Sequence, residues 1–168
     1  MYHQFTNDYC EIAHEKILSA IQRCSNEQNP GYSLDKHTMN AKEKIKEVFK
    51  LSNDVDIHFL TGGTQTNMTV ISYFLRPYEA VLTVDTGHIF VHETGAIEGS
   101  GHKVYTVMNS NGKLLPSDIE KAMAFHVDEH MVKIKMIYIS NATETGSIYT
   151  KQELCTNSLH IPIPTSPT

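Results

Sequence analysis

The chain has 168 residues, 40% of them hydrophobic and 20% charged, with a formal net charge of −5. That is the size of one ordinary domain able to bury a core, and the composition excludes a disordered chain. The acidic balance excludes a nucleic-acid binder that works through bulk positive charge, and no apolar stretch approaches the ~20 residues of a membrane-spanning helix.

The first eight residues lack the basic and apolar regions of a signal peptide. Cys10, Cys24 and Cys155 are three and widely spaced, which suits neither a disulfide framework nor a paired-cysteine zinc site. The expected setting is therefore the reducing cytoplasm, where the sequons at Asn67 and Asn141 are incidental. A first helix is predicted between His14 and Glu27, with Ile17, Leu18, Ile21 and Cys24 on one face. Asn29-Pro30-Gly31 breaks it. A second is predicted over 35–50, its apolar face made of Ala41, Ile45, Val48 and Phe49.

From Asp56 the rhythm becomes that of alternating strands and helices. Strands are expected at 56–60, 80–85, 103–108 and 135–140. Helices are expected over Gln65–Leu75, Ile89–Glu98, from Pro116 towards His130 with Ser117 as cap, and for barely one turn after Thr150. Such alternation implies an α/β/α arrangement of three layers around a mostly parallel sheet. Pro162, Pro164 and Pro167 forbid a helix in the last residues, which are expected to form a divergent tail over 155–168 after a domain over 1–154.

Three polar segments follow strand ends. In Thr61-Gly62-Gly63-Thr64, glycines next to a helix N-terminus suit close approach of a phosphate, and no P-loop lysine is nearby. Asp85-Thr86-Gly87-His88 opens a second turn. His88, His92 and Glu93 allow a zinc reading, but HExxH is absent, and no metal site is expected. Asp85 is read as structural. Ser140 to Gly146 supplies Asn141, Thr143 and Glu144. Three such loops on one rim are a stronger signal than any one of them. His126 and His130 are read as surface residues of the late helix.

Taken in order, these segments resemble one family. They include Phe5-Thr6-Asn7-Asp8-Tyr9, Gly31-Tyr32, Phe59 to Asn67, Asp85 to Glu98, Gly101 to Val104 and Tyr138 to Asn141. The chain is similar, over roughly residues 2–154, to the N-terminal half of the threonine aldolase and aromatic amino-acid β-eliminating lyase family, which uses pyridoxal 5′-phosphate on an aspartate-aminotransferase type of fold. The resemblance implies that Gly63, Thr64 and Gln65 hold the cofactor phosphate and that His88 stacks on its pyridine ring. It places Asn141 on the cofactor rim, Thr6 and Asn7 near the substrate, and Glu144 where such enzymes set a polar catalytic group. The implied substrates are small β-hydroxy amino acids, cleaved to glycine and an aldehyde.

The resemblance also implies a Schiff-base lysine, an Asp-Gly-Ala-Arg type of segment and a C-terminal domain, none of which matches anything here. The two arginines are Arg23 and Arg76, and the twelve lysines lie on charged helix faces, in loops or at strand beginnings. The expectation is therefore an incomplete large domain, inactive by itself. The alternative is a non-catalytic module that binds the cofactor or another anion and pairs with a full-length paralogue. Assembly with another copy is compatible with either.

Overall fold

The computed structural model describes residues 3, 4, 6, 7, 9–109 and 111–159. They fall into two compact units, Met1–His58 and Phe59–Thr168.

The first unit contains helices α1 (Glu15–Cys24) and α2 (Lys36–Phe49). His14 caps α1 by accepting the Lys16 N–H, and Asp35 caps α2 by accepting the Thr38 N–H at 2.8 Å. Lys50 ends α2 in the left-handed region, at φ 52°. Glu27, in the connection, pairs with His37 at 2.7 Å and Lys36 at 3.1 Å. These two partners, His37 foremost, hold its carboxyl at about 2. Neither helix contains a buried residue. The predicted apolar faces exist, but Ile17, Ile21, Val48 and Phe49 are exposed. Periodicity locates a stripe; it does not supply a partner surface.

The second unit begins with α3 (Gly63–Phe74), then runs β1 (Glu79–Val84), α4 (His88–Val91), α5 (Ala96–Gly99), β2 (Lys103–Val107), α6 (Pro116–Phe125), β3 (Lys133–Ile137) and α7 (Lys151–Leu159). The three strands are parallel, in the order β2-β1-β3. Helices cover both faces of the sheet, as expected of an α/β/α fold. On one face Ile71 and Leu75 from α3 and its end, Ile89 and Ile97 pack with Val81 and Val104. On the other, Leu114, Ile119 and Ala122 pack with Leu82, Val84 and Ile134. Odd and even residues of β1 thus serve different cores.

A bulge in β3 preserves this division. Ala80 pairs with Ile134, but Val81 pairs with Met136, which leaves Lys135 as the extra residue. Ile134 and Ile137, an odd number of positions apart, therefore face the same core. β3 runs from Lys133 to Ile137, so it starts and ends earlier than the strand expected over 135–140.

Other sequence expectations are corrected. Residues 56–60 form no strand. An apolar tetrapeptide can lie half-buried, but a strand requires a neighbour offering N–H and C=O groups. The single helix expected over Ile89–Glu98 is two short ones, separated by Thr94 and Gly95 at φ 54° and 71°. Ser117 is not the cap of α6. Pro116 occupies the first turn, and Asp118 reaches back to accept the Leu115 N–H at 3.1 Å. That helix stops at Phe125. His126, read as a surface residue, is half-buried, with its ring edge-on to Tyr105 at 4.2 Å. The short helix after Thr150 has nine residues, because Thr150 and Glu153 cap each other and the first proline comes only at 162. Residues 160–168, with the three prolines, lie outside the described residues.

Candidate functional site

The C-terminal ends of β1 and β3 form the ligand edge of the second unit, as in other open α/β sheets. The N-terminus of α3 belongs to the same unit. Gly62 caps α3 without any side-chain hydrogen bond, so the N–H groups of its first turn point free. A Cβ at Gly62 or Gly63 would meet nothing within 4 Å. Thr64 is exposed. Thr66 donates its hydroxyl to the Gly62 carbonyl at 2.8 Å, and the Gln65 side-chain oxygen accepts both the N–H and the hydroxyl of Thr61. The turn is therefore braced from behind by Gln65 and Thr66, while its front, with the Gly63, Thr64 and Gln65 N–H groups and the Thr64 hydroxyl, remains open. That donor set fits a phosphate dianion.

One helical turn along α3, Asn67 donates to Glu93 Oε1 at 2.6 Å, and its amide lies 3.5 Å from the Tyr138 hydroxyl. The same Glu93 oxygen lies 2.8 Å from His88 Nδ1. The Glu93 side chain is fully buried, whereas that of His88 is 38% exposed. His88 thus presents part of its ring to solvent while a buried carboxylate holds the opposite edge. His92 packs against it, with ring centroids 5.5 Å apart and planes tilted by 54°. Among the described residues, His88, His92 and Glu93 do not converge their donor atoms on a common ion position.

The turn before His88 has little freedom. A Cβ on Gly87 would overlap the Thr83 side chain and stand 3.0 Å from the Val84 carbonyl oxygen. Glycine therefore lets α4 start directly over β1. A narrow cleft beside it is lined by Thr83, Thr86, Gly87, Tyr138, Ser140 and Glu144, among others. The Thr83 and Thr86 hydroxyl oxygens are buried, with no hydrogen-bond partner among the described residues. Asp85 accepts the Asn109 N–H at 3.4 Å and so ties down the loop after β2, in keeping with a structural role.

The third loop is pinned by its neighbours. Thr145 and Ser147 donate to the Asn111 carbonyl, and Gly112, at φ 68°, leaves no room for a Cβ beside Thr145. Asn141 accepts the Tyr149 N–H at 3.0 Å, which places its side chain in loop closure. Glu144 is exposed at the cleft. The structure thus connects His88 and the first turns of α3 through Asn67 and Glu93, and sets Glu144 at the neighbouring cleft. Thr6 and Asn7 belong to the first unit. There Asn7 accepts the Tyr9 N–H at 3.0 Å and Thr6 lies 3.6 Å from Cys10 Sγ.

Sequence reasoning missed the link between Asn67, Glu93 and Tyr138. Asn67 and Glu93 are 26 positions apart, and no local spacing connects them. The available signal was an acid five positions after His88, just past the apolar Ile89-Phe90-Val91.

The family model described as beta-eliminating lyase matches residues 16–157. The low specificity L-threonine aldolase of Pseudomonas sp. (strain NCIMB 10558) is 28% identical over 153 residues, covering 90% of this chain and 44% of that protein. The protein of the same name from Pseudomonas aeruginosa is 26% identical over the same extent. A solved structure of Leishmania major threonine aldolase superposes with a TM-score of 0.88 at 48% identity, covering 92% of this chain and 45% of that one. The chain therefore spans less than half the length of the relatives it matches.

Proposed function

The chain belongs to the beta-eliminating lyase family, which is pyridoxal-5′-phosphate-dependent, and from that premise we propose that its second unit is the phosphate- and ring-holding part of an aldolase-type lyase acting on β-hydroxy amino acids. The observation that carries the reading is the pairing of two features in one unit. An uncapped glycine-fronted helix N-terminus stands one helical turn from Asn67, which reaches the carboxylate that holds His88.

The residues fit the cofactor. The first turn of α3 offers backbone N–H groups and the Thr64 hydroxyl to a phosphate, with open space in front of both glycines. His88 offers a flat, partly exposed ring held at one edge, which suits stacking on a heteroaromatic ring. When bound, pyridoxal phosphate supplies an electron sink for bond cleavage next to the amino-acid Cα. The chain's own contribution is to bind the phosphate, orient the ring and crowd water from its buried edge. Glu144, exposed at the cleft, is proposed to face the substrate hydroxyl, and Thr6 and Asn7 are proposed to contact substrate from the first unit. None of the twelve lysines lies in either glycine-rich turn. The 168 residues by themselves are therefore expected to bind cofactor without turning over L-threonine.

The test is titration with pyridoxal 5′-phosphate, followed by absorbance, with pyridoxal as control. Binding is expected to depend on the phosphate. Thr64→Ala is expected to weaken it roughly 10- to 100-fold, since a hydrogen bond to a charged group contributes roughly 1.5–3 kcal/mol. Equal affinity for pyridoxal and its phosphate, or unchanged affinity in Thr64→Ala, would remove the phosphate-site assignment. Acetaldehyde release that tracks with the purified chain would contradict the expected lack of turnover.

A further inference from the structure

Glu93 is an acidic residue whose side chain is fully buried. It closes the loop between α4 and α5. The next two residues, Thr94 and Gly95, both take left-handed backbone conformations. A β-branched residue there is uncommon and costs free energy. The consequence of the bend is that the Glu93 side chain is entirely buried instead of pointing to solvent.

Inside, one carboxylate oxygen collects two contacts. Asn67 Nδ2 donates to Oε1 at 2.6 Å, and His88 Nδ1 stands 2.8 Å from the same atom. A carboxylate only accepts, so His88 Nδ1 must carry the proton. In the neutral imidazole this leaves Nε2 unprotonated. Nε2 has no hydrogen-bond partner among the described residues, and the ring is 38% exposed. Asn67 is itself located by α3 and by the Tyr138 hydroxyl beyond β3. Three separate segments therefore converge to fix one proton and one ring plane.

We propose that Glu93 is the positioning residue for His88: its buried carboxylate, anchored by Asn67, keeps the imidazole proton on Nδ1 and leaves Nε2 as a bare acceptor on the exposed part of the ring. The tautomer follows from these contacts to an ionised Glu93. Its purpose, holding the ring flat and one-sided for a cofactor and a substrate hydroxyl, rests on the proposed function. Outer carboxylates fix the tautomer of metal-bound histidines in the same way.

Long-range 1H–15N spectra of the labelled 168-residue chain at about pH 8, above the ordinary histidine titration, read the tautomer directly. The His88 signals are assigned by their loss in His88→Gln. In the wild type, Nδ1 is expected in the protonated range and Nε2 in the unprotonated range. Glu93→Gln keeps an accepting oxygen and is expected to retain the pattern. Glu93→Leu has none and is expected to lose it, giving a mixture of the two forms. A wild-type His88 with its proton on Nε2 overturns the proposal, as does an unchanged pattern in a folded Glu93→Leu. If Glu93→Leu does not fold, the wild-type tautomer still decides. Titration of the same samples with pyridoxal 5′-phosphate separates the two ideas. A wild type that shows the expected tautomer but no spectral response loses the cofactor reading and keeps the positioning role.

Discussion

At the scale of single residues, the site depends on groups chosen for the space they leave. Gly87 is the clearest, because a methyl group there would collide with Thr83 and crowd the Val84 carbonyl. Gly87→Ala is expected to lower stability by about 1–3 kcal/mol, as other overpacking changes do, measured by urea unfolding. It is also expected to weaken cofactor binding by displacing His88. A variant as stable as the wild type would show that the turn yields easily. Tyr149 is a second case. Its buried hydroxyl accepts the Leu114 N–H at 2.5 Å, and burial pushes its own titration upward. Tyr149→Phe leaves that N–H without its acceptor and is expected to cost about 1–3 kcal/mol in the same assay. Neither role was legible in sequence. Gly87 reads there as one turn glycine among several, and Tyr149 as the last apolar residue before a helix. What distinguishes them is a neighbour brought close by the fold, not by the chain. The contact from Asn67 to Glu93 was hidden for the same reason.

At the scale of elements, legibility follows how local the cause is. β1 is legible because a strand buried on both faces is a continuous apolar run between turns. β3 carries a bulge at Lys135, and the segment at 56–60 had the composition of a strand without a ladder to join. The helix α7 is longer than the prolines beyond it suggest, because its start is set by the reciprocal cap of Thr150 and Glu153. That start makes a prediction about acid. The Thr150 N–H, followed by Lys113 and the Thr150 hydroxyl, holds the Glu153 carboxyl at about 2. Its folded value lies below its ordinary one of ~4.3. The group therefore contributes its full stabilisation above that ordinary value, and loses it as pH falls towards 2. Wild-type stability is expected to drop more steeply between about pH 5 and pH 2 than that of Glu153→Gln, measured by denaturant midpoints at each pH. Glu27 titrates in the same window but is present in both proteins, so it cancels in the comparison. Parallel curves would mean that the α7 cap does not couple to global unfolding.

At the scale of the whole molecule, the two cores account for the sheet faces but leave much apolar surface in water. On α3 alone, Tyr73 and Phe74 are 81% and 64% exposed, and they pack only edge to face with each other, 5.0 Å apart. Met68, Val70, Phe59 and Leu60 are also exposed. Both β2 and β3 are edge strands among the described residues, each with one side open to further pairing. Exposed apolar area is favourable to bury at ~25 cal/mol per Å², so a few hundred Å² can drive association of several kcal/mol before its entropic costs. The isolated chain is expected to self-associate as its concentration rises and to bind a hydrophobic dye in the native state. Size-exclusion chromatography across a concentration series gives the first readout, and dye fluorescence gives the second. Phe74→Glu tests the cause, because an exposed position outside both cores is expected to change stability by no more than ~0.5 kcal/mol. The variant should therefore unfold at nearly the same denaturant concentration yet stay monomeric to higher concentration and bind less dye. A wild type that is monomeric throughout and does not bind dye would show that this surface is too dispersed to act as a patch. A Phe74→Glu variant that associates as strongly as the wild type would move the cause from α3 to the open strand edges.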